Sequence, residues 1–364
     1  MSVLKELLEY AVEQGSSDIH LVPGRRPWIR AHAQLSPTDF SRLSAEDIQG
    51  IVSEIMPNHL RQSFEETHEA DFSLGEPGVG RFRVNVFKAQ GMASIAMRHV
   101  KTEIPTFEQL NLPEELRELA HLDRGIVLLS GTTGSGKSTT LAAIVGEINR
   151  TQRKRIITVE DPVEYLFEDD QSVITQREVG LDTLNYEEAL KHVLRQDPDI
   201  ILIGEMRDQL SIRTALLAAE TGHLVLSTLH SGTSGMAIPR ILDVFPADEQ
   251  DQIRMGLAGT HHAIVCQRLI PATSGGVVPA VEVMINTSTV RKLLEKNRLD
   301  VLNAAIETGN DDGMITFNQS IYNLIKEGLV SEKDGMRYAT NPESLRMNLQ
   351  GIFLDEGRRI LATT

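Results

Sequence analysis

The chain has 364 residues, 41% of them hydrophobic, which is enough for two domains with a buried core and excludes a disordered polymer. Its 36 basic and 51 acidic residues leave a formal charge of −15, which argues against broad attraction to nucleic acid or to an anionic membrane surface. A single cysteine, Cys266, excludes an internal disulfide and a cysteine-based zinc module, and fits a reducing compartment.

The first residues lack the charged start and apolar run of a signal peptide. Leu4, Leu7, Leu8, Ala11 and Val12 form one helical face, and Gly15 is placed to end that helix. Ser44 is an N-cap for a second helix with Ile48, Ile51, Val52 and Ile55 inward. Ala70, Phe72 and Leu74 alternate, a turn follows between Gly75 and Gly80, and Phe82, Val84 and Val86 alternate again, which predicts a hairpin. These residues predict an N-terminal α+β domain over 1–100, followed by a linker over 101–118.

From residue 119 to 364 the rhythm is that of an α/β domain with a helical C-terminal region. Strands are predicted at 125–130, 155–160, 199–203 and 223–229, with helices at 137–150, from Asn185 to Arg195, and at 209–221. Asn185 and Glu188 have the spacing of a capping box. From 247 onward the pattern reads as mainly helical, broken by a hairpin at 274–279. The longest apolar stretches, 125–129 and 200–203, are strand-sized, far short of the roughly 20 residues that span a bilayer. Direct membrane insertion is therefore not expected.

The segment Gly131, Thr132, Thr133, Gly134, Ser135, Gly136, Lys137, Ser138 is a complete G-x-x-x-x-G-K-[ST] motif between a predicted strand and a predicted helix. Its glycines let backbone N–H groups curl around a phosphate, and the helix N-terminus adds its positive end. Lys137 is expected to reach the β- and γ-phosphates of ATP and Ser138 to ligate Mg²⁺, with Thr139 counted among the nucleotide-binding residues. Glu205 closes the apolar strand 200–203, at the edge where α/β sheets bind ligands, either to act on a water and the metal's water shell or as a solvated strand end. Asp199, at the other end, reads as a cap.

Glu160 and Asp161 end another strand and point to opposite faces, so one of them faces the nucleotide. His223 and His230 flank one strand and stand roughly 23 Å apart. They cannot share a small site on one subunit. His230 is the better placed γ-phosphate sensor, against a purely structural role. Arg81 and Arg83 share one strand face, as either a solvated surface or a pair of forks for phosphate. Arg195 and Arg207 fall near the nucleotide edge without an assigned role.

Taken in order, these motifs resemble the PilT branch of the secretion ATPases. The P-loop, the Glu160-Asp-Pro-Val-Glu-Tyr165 box, Arg195-Gln-Asp-Pro-Asp199, Gly204-Glu-Met-Arg-Asp208 and the stretch from Thr221 to His230 stand in that family's register. So do Ser17-Asp-Ile-His20 and Arg81-Phe-Arg-Val-Asn-Val86, and the resemblance runs from about residue 4 to 330. It implies a PAS-like N-terminal domain and a RecA-like ATPase domain, assembled as a homo-hexamer that uses Mg²⁺ and ATP to power type IV pilus retraction.

By resemblance, Glu205 is the catalytic acid and holds Mg²⁺ through water, while Glu160 stands beside the metal and attacking water. Arg81 and Arg83 reach the nucleotide, and His223 and His230 form a histidine box. The implied partners are an inner-membrane pilus platform protein and a paralogous retraction ATPase, with a location in the cytoplasm at the inner face of the membrane. Assembly and type II secretion ATPases usually add an N-terminal domain and a four-cysteine site. The start at the shared domain and the single cysteine therefore favour the retraction branch.

Two positions depart from the retraction pattern. Thr289-Val-Arg-Lys-Leu-Leu-Glu-Lys296 inverts the two closing charges of the family's C-terminal motif, and Thr132 stands where proline is common. These departures keep a PilU-like accessory ATPase as an alternative. A non-hydrolytic nucleotide-sensing adaptor is the rival from another class.

Overall fold

The computed structural model describes residues 3–31, 34–100 and 103–352. The chain folds into two compact units that are not contiguous in sequence. The first takes the residues up to Glu103 together with Pro162–Leu166 and Gly180–Asp182, and the second takes the remainder. Residues 101 and 102 of the expected linker lie outside the described residues.

The first unit runs α1 (Val3–Glu13), β1 (Ser16–Leu21), β2 (Trp28–Ala31), β3 (Gln34–Pro37), α2 (Ala45–Ile55), α3 (Asn58–Thr67), β4 (Glu69–Glu76), β5 (Gly80–Ala89) and β6 (Met92–Val100). Its strands form one antiparallel sheet in the order β3-β2-β1-β6-β5-β4. The predicted α1 face is buried at Leu4, Leu7, Leu8 and Ala11, and the chain leaves the helix through Gly15 at φ +62°. Ser44 caps α2 in a reciprocal box with Asp47. Alternation sends Phe82, Val84 and Val86 into the core and leaves the intervening residues on the other face. On that face a cross-strand row sets Arg30 against Asp18, Asp18 against Arg98, and Arg98 against Arg83.

The second unit runs α4 (Glu114–Arg117), β7 (Gly125–Ser130), α5 (Lys137–Thr151), β8 (Arg155–Glu160), β9 (Val173–Glu178), α6 (Tyr186–Val193), β10 (Ile200–Ile203), α7 (Gln209–Glu220) and β11 (Leu224–Leu229). It continues with α8 (Ser234–Leu242), α9 (Ala247–Thr260), β12 (His261–Pro271), β13 (Val277–Ile285), α10 (Ser288–Glu295), α11 (Leu302–Thr308), α12 (Phe317–Lys326), α13 (Glu332–Tyr338) and α14 (Pro342–Leu349).

The sheet order is β13-β12-β7-β11-β10-β8-β9, parallel throughout except for β13. Ile126 and Leu128 enter one core, against α6 to α11, while Val127 and Leu129 enter another, against α5 and the segment before β7. A sheet covered on both faces buries every residue of such a strand, which is why β7, β10 and β11 read as unbroken apolar runs. The α/β class, with an N-terminal α+β unit and a mostly parallel sheet after it, is the one expected. Among the described residues no helix is long and apolar enough to cross a membrane.

Three local expectations are corrected. The hairpin expected at 274–279 is present but far longer: residues 261–285, otherwise read as helical, form β12 and β13, which turn at 272–276 and add β12 beside β7. A strand buried on both faces lacks the period of two that separates it from a helix. Strand β9 was not anticipated. The Asn185 box forms only one half: the Asn185 side chain accepts from the Glu188 N–H at 2.8 Å, but the Glu188 carboxylate turns to Lys191 at 3.0 Å.

Candidate active site

The second-unit residues nominated for chemistry sit at the carboxyl edge of its parallel strands, except His223 and Arg195. β7 ends at Ser130, residues 131–136 form the loop, and Lys137 and Ser138 open α5. Gly131 has φ +147°, and a Cβ there would lie 2.5 Å from Ser135 Oγ and 2.6 Å from the Gln267 carbonyl. Gly136, at φ +89°, would place a Cβ 2.6 Å from Gln267 Nε2. Both positions therefore exclude a side chain by backbone conformation and by space.

The Lys137 ammonium is buried and donates to the carbonyls of Gly131 at 3.0 Å and Thr132 at 3.1 Å, so it arches over the loop. Thr132, Thr133 and Gly134 form the exposed rim, and Ser138 and Thr139 are half-buried on the first turn of α5. Ser135 Oγ is buried with no hydrogen-bond partner among the described residues. A cradle of N–H groups, a cation and an orphaned hydroxyl fit an incoming phosphate.

Gln267 is the residue that sequence reasoning missed. β12 runs parallel to β7 with Cys266 level with Ser130, so Gln267 comes level with the first loop glycine. It is 3% exposed; its amide donates to the Ser135 carbonyl at 2.9 Å and accepts from Thr140 Oγ1 at 2.8 Å. No local motif marks it, because its importance comes from strand pairing across the sheet.

Glu205 follows β10, and its placement is held from both neighbouring strands. The Gly204 N–H donates to the Val159 carbonyl at 2.9 Å, and the Met206 N–H to the Thr228 carbonyl at 3.0 Å. Thr228 Oγ1 also donates to the Gly204 carbonyl at 2.7 Å. The carboxylate is gripped on both oxygens: Arg207 Nε lies 2.6 Å from Oε2 and His230 Nε2 lies 3.3 Å from Oε1. The bond to Glu205 pushes the Arg207 guanidinium further toward its charged form. The structure thus brings together Glu205, Arg207 and His230, and the Ser231 N–H donates at 2.8 Å to Ser130 Oγ, tying the loop after His230 to the residue before the P-loop.

Glu160 ends β8, where its Oε1 accepts from Thr158 Oγ1 at 2.6 Å and from Gln176 Nε2 at 3.3 Å; Asp161 is exposed. The Tyr186 phenol is pushed up by burial and then by the charges of Asp161 and Glu160, and so stays protonated. His223 lies at the opposite edge of the sheet, with Nδ1 2.9 Å from the Ala218 carbonyl and 3.1 Å from Thr221 Oγ1, and so helps to close α7. Asp199 accepts from the Arg155 N–H at 2.7 Å, the capping role expected of it. Arg195 precedes β10, so it too is away from the carboxyl edge. Arg81 and Arg83 lie on β5 of the first unit, level with Val100 and Arg98 on β6.

Residues 1–324 match the family described as Type II/IV secretion system protein. The chain belongs to that family. Among curated relatives it is 41% identical to the type IV pilus retraction ATPase PilT of Pseudomonas aeruginosa over 341 residues, covering 94% of this chain and 99% of that protein. It is 39% identical to the type IV pilus ATPase PilU of the same organism over 347 residues, covering 95% of this chain and 91% of PilU. The crystal structure of the pilus retraction motor PilT with bound ADP superposes with a TM-score of 0.88 at 43% identity, covering 95% of this chain and 99% of that one. The fold is therefore that of the PilT and PilU branch of the secretion family. The departing stretch, 289–296, forms most of α10: Val290, Leu293 and Leu294 are buried, while Arg291, Lys292, Glu295 and Lys296 are exposed. The inverted charges thus alter a surface and leave the helix's packing intact.

Proposed function

We propose that the protein is an ATP-hydrolysing motor of type IV pilus retraction, acting as a homo-hexamer on the cytoplasmic face of the inner membrane. The observation that carries this reading is the carboxyl edge of one sheet, where a complete P-loop and a Glu205 held by His230 and Arg207 stand together, in a chain that PilT matches along nearly its whole length.

The P-loop amides and Lys137 bind the phosphates of ATP. The Ser138 hydroxyl, and Glu205 through water, would hold Mg²⁺, which supplies neutralising charge on the phosphates when bound. Glu205, with Glu160 nearby on the next strand, orients and takes a proton from the attacking water. His230 senses the γ-phosphate through its contact with Glu205. Arg81 and Arg83 offer guanidinium forks to the charge that develops on the nucleotide. In this reading the N-terminal domain spans 1–100, the linker 101–118 and the motor domain 119–364. The partners are a membrane platform protein of the pilus and a paralogous retraction ATPase; nucleic acid is not one of them.

A second reading, an accessory motor like PilU, is favoured by the similar identity to PilU and by the altered charges of α10. Replacing the native copy with Lys137→Ala and counting pili while tracking twitching separates the two. More pili with lost motility supports the retraction motor. Normal retraction, or a defect only under load, supports the accessory motor, and cells without pili overturn both in favour of assembly.

A further inference from the structure

Adjacent residues on β12 make two connections in different directions. Gln267 bridges the P-loop carbonyl of Ser135 and the α5 hydroxyl of Thr140. Arg268 is directed to the C-terminal helices. Its Nη1 donates to the Tyr338 carbonyl at 2.8 Å and to Thr340 Oγ1 at 3.2 Å, and its guanidinium lies 3.8 Å from the centre of the Phe317 ring. Phe317 opens α12, Tyr338 closes α13, and Thr340 precedes α14. The remaining arm, Nη2, donates at 3.3 Å to the carbonyl of Gly232, two residues beyond His230.

The same loop is held at its other end by the hairpin. Glu282 of β13 is buried and accepts from the Ser234 N–H at 2.7 Å. Burial pushes the Glu282 carboxyl up and the Arg268 guanidinium down, and each offsets part of the other's cost by attraction. The hairpin is also the floor of the C-terminal core: Cys266, Ile270, Val278 and Ala280 pack in one cluster with Phe317, Ile321, Leu324, Val330 and Leu345. One stiff element therefore touches the phosphate cradle, the loop that carries His230, and helices α12–α14.

We propose that Gln267 and Arg268 are positioning residues for ATP hydrolysis: Gln267 holds the P-loop in its phosphate-binding shape, and Arg268 couples the loop after His230 to helices α12–α14. This rests on the reading of the protein as an ATPase. A side-chain amide fixed at both ends sets the loop's curvature before nucleotide arrives, as a catalytic site needs. Arginine suits the second role because its planar fork serves three acceptors at once, which a lysine ammonium on a flexible stem does not.

The test uses the full chain. Affinity for a fluorescent ADP, steady-state kcat and KM for ATP, and hydrogen exchange over residues 317–349 with and without ADP are measured for each variant. Gln267→Glu keeps the shape and the acceptor for Thr140 but faces the Ser135 carbonyl with an oxygen. It is expected to raise Kd and KM about tenfold, the scale of one buried hydrogen bond turned repulsive. Thr140→Val, which removes the other end of the bridge, is expected to move both in the same direction by less, and decides the point if the first variant does not fold.

Arg268→Lys is expected to leave Kd for ADP within about twofold, lower kcat several-fold, and abolish the ADP-dependent protection of 317–349. Unchanged Kd and KM in both bridge variants overturns the role of Gln267. ADP-dependent protection that survives Arg268→Lys, or that is absent from the native protein although it binds ADP, overturns the role of Arg268. A native protein that binds no ADP overturns the ATPase reading instead.

Discussion

His230 Nε2 stands 3.3 Å from Glu205 Oε1, joining the ends of two neighbouring parallel strands across the carboxyl edge of the sheet. Arg207 holds the other oxygen at 2.6 Å, so each carboxylate oxygen has its own partner. Glu205→Gln keeps this shape but loses the basic oxygen. It is expected to bind ADP as the native protein does while kcat falls at least about a hundredfold. Lys137→Ala is expected to lose nucleotide binding itself. Parallel titration of both variants with a fluorescent ADP tests the division of labour, and equal loss of binding in the two would refute it.

His230→Asn removes the ring nitrogen that faces Glu205 without disturbing the apolar strand before it. It is expected to lower kcat about tenfold with little change in thermal stability. His223→Asn is the control. Its ring closes α7 at the other edge of the sheet, so that variant should lower stability slightly and leave kcat near native.

Gly204 is close-packed. A Cβ there would lie 2.6 Å from the Tyr186 hydroxyl and 3.3 Å from the Val159 carbonyl. Gly204→Ala is expected to cost about 1–3 kcal/mol by overpacking and to displace Glu205 with it. Tyr186→Phe removes the closest clashing atom, so the double variant should recover part of the loss in both melting temperature and kcat. No recovery would place the strain at the Val159 carbonyl instead.

Asp208 caps α7 three residues after Glu205, accepting from the Ser211 N–H at 2.8 Å while its own N–H meets Ser211 Oγ at 3.3 Å. Asp208→Ala is expected to cost about 1 kcal/mol, read from urea unfolding. Because the cap anchors the chain just beyond the acid, kcat should fall as well, whereas the similar cap Ser44→Ala on α2 of the first unit should affect stability alone.

His261 is fully enclosed, with Nδ1 2.6 Å from the Leu257 carbonyl and Nε2 without a partner among the described residues. Burial lowers its pKa to about 4, against an ordinary value of 6.5. Between those values the unfolded chain binds the proton and the folded one does not, so stability falls as pH drops from 6.5 toward 4. His261→Leu is expected to flatten that part of the stability curve, by a few kcal/mol at most at its acid end. Denaturant titrations of both proteins across that range show whether the slope belongs to this ring.

The P-loop, Glu205 and the α/β rhythm around them were legible because each is written locally: a glycine spacing, an apolar run, an acid at its end. The capping of α2 by Ser44 and the core face of α1 were legible for the same reason, since a cap and a helical stripe each involve residues within a few positions. The turn of the β12–β13 hairpin was legible near 274–279, but the length of its two strands was not, because strands enclosed on both sides carry no alternation to tell them from a buried helix. Glu188 was matched to Asn185 by spacing, but a lysine one turn on competes for its carboxylate, and spacing does not record competition.

By itself the sequence determined which groups are available: a glycine-rich loop, a lysine, a serine hydroxyl and a carboxylate, each built from neighbours along the chain. Only the tertiary structure decided which residues act together. Glu205 meets His230, Gln267 meets the P-loop, and Arg268 meets helices far along the chain. Strand order and register in the sheet bring those groups within hydrogen-bond reach, and both are set by burial across the whole domain, which no short stretch of sequence contains.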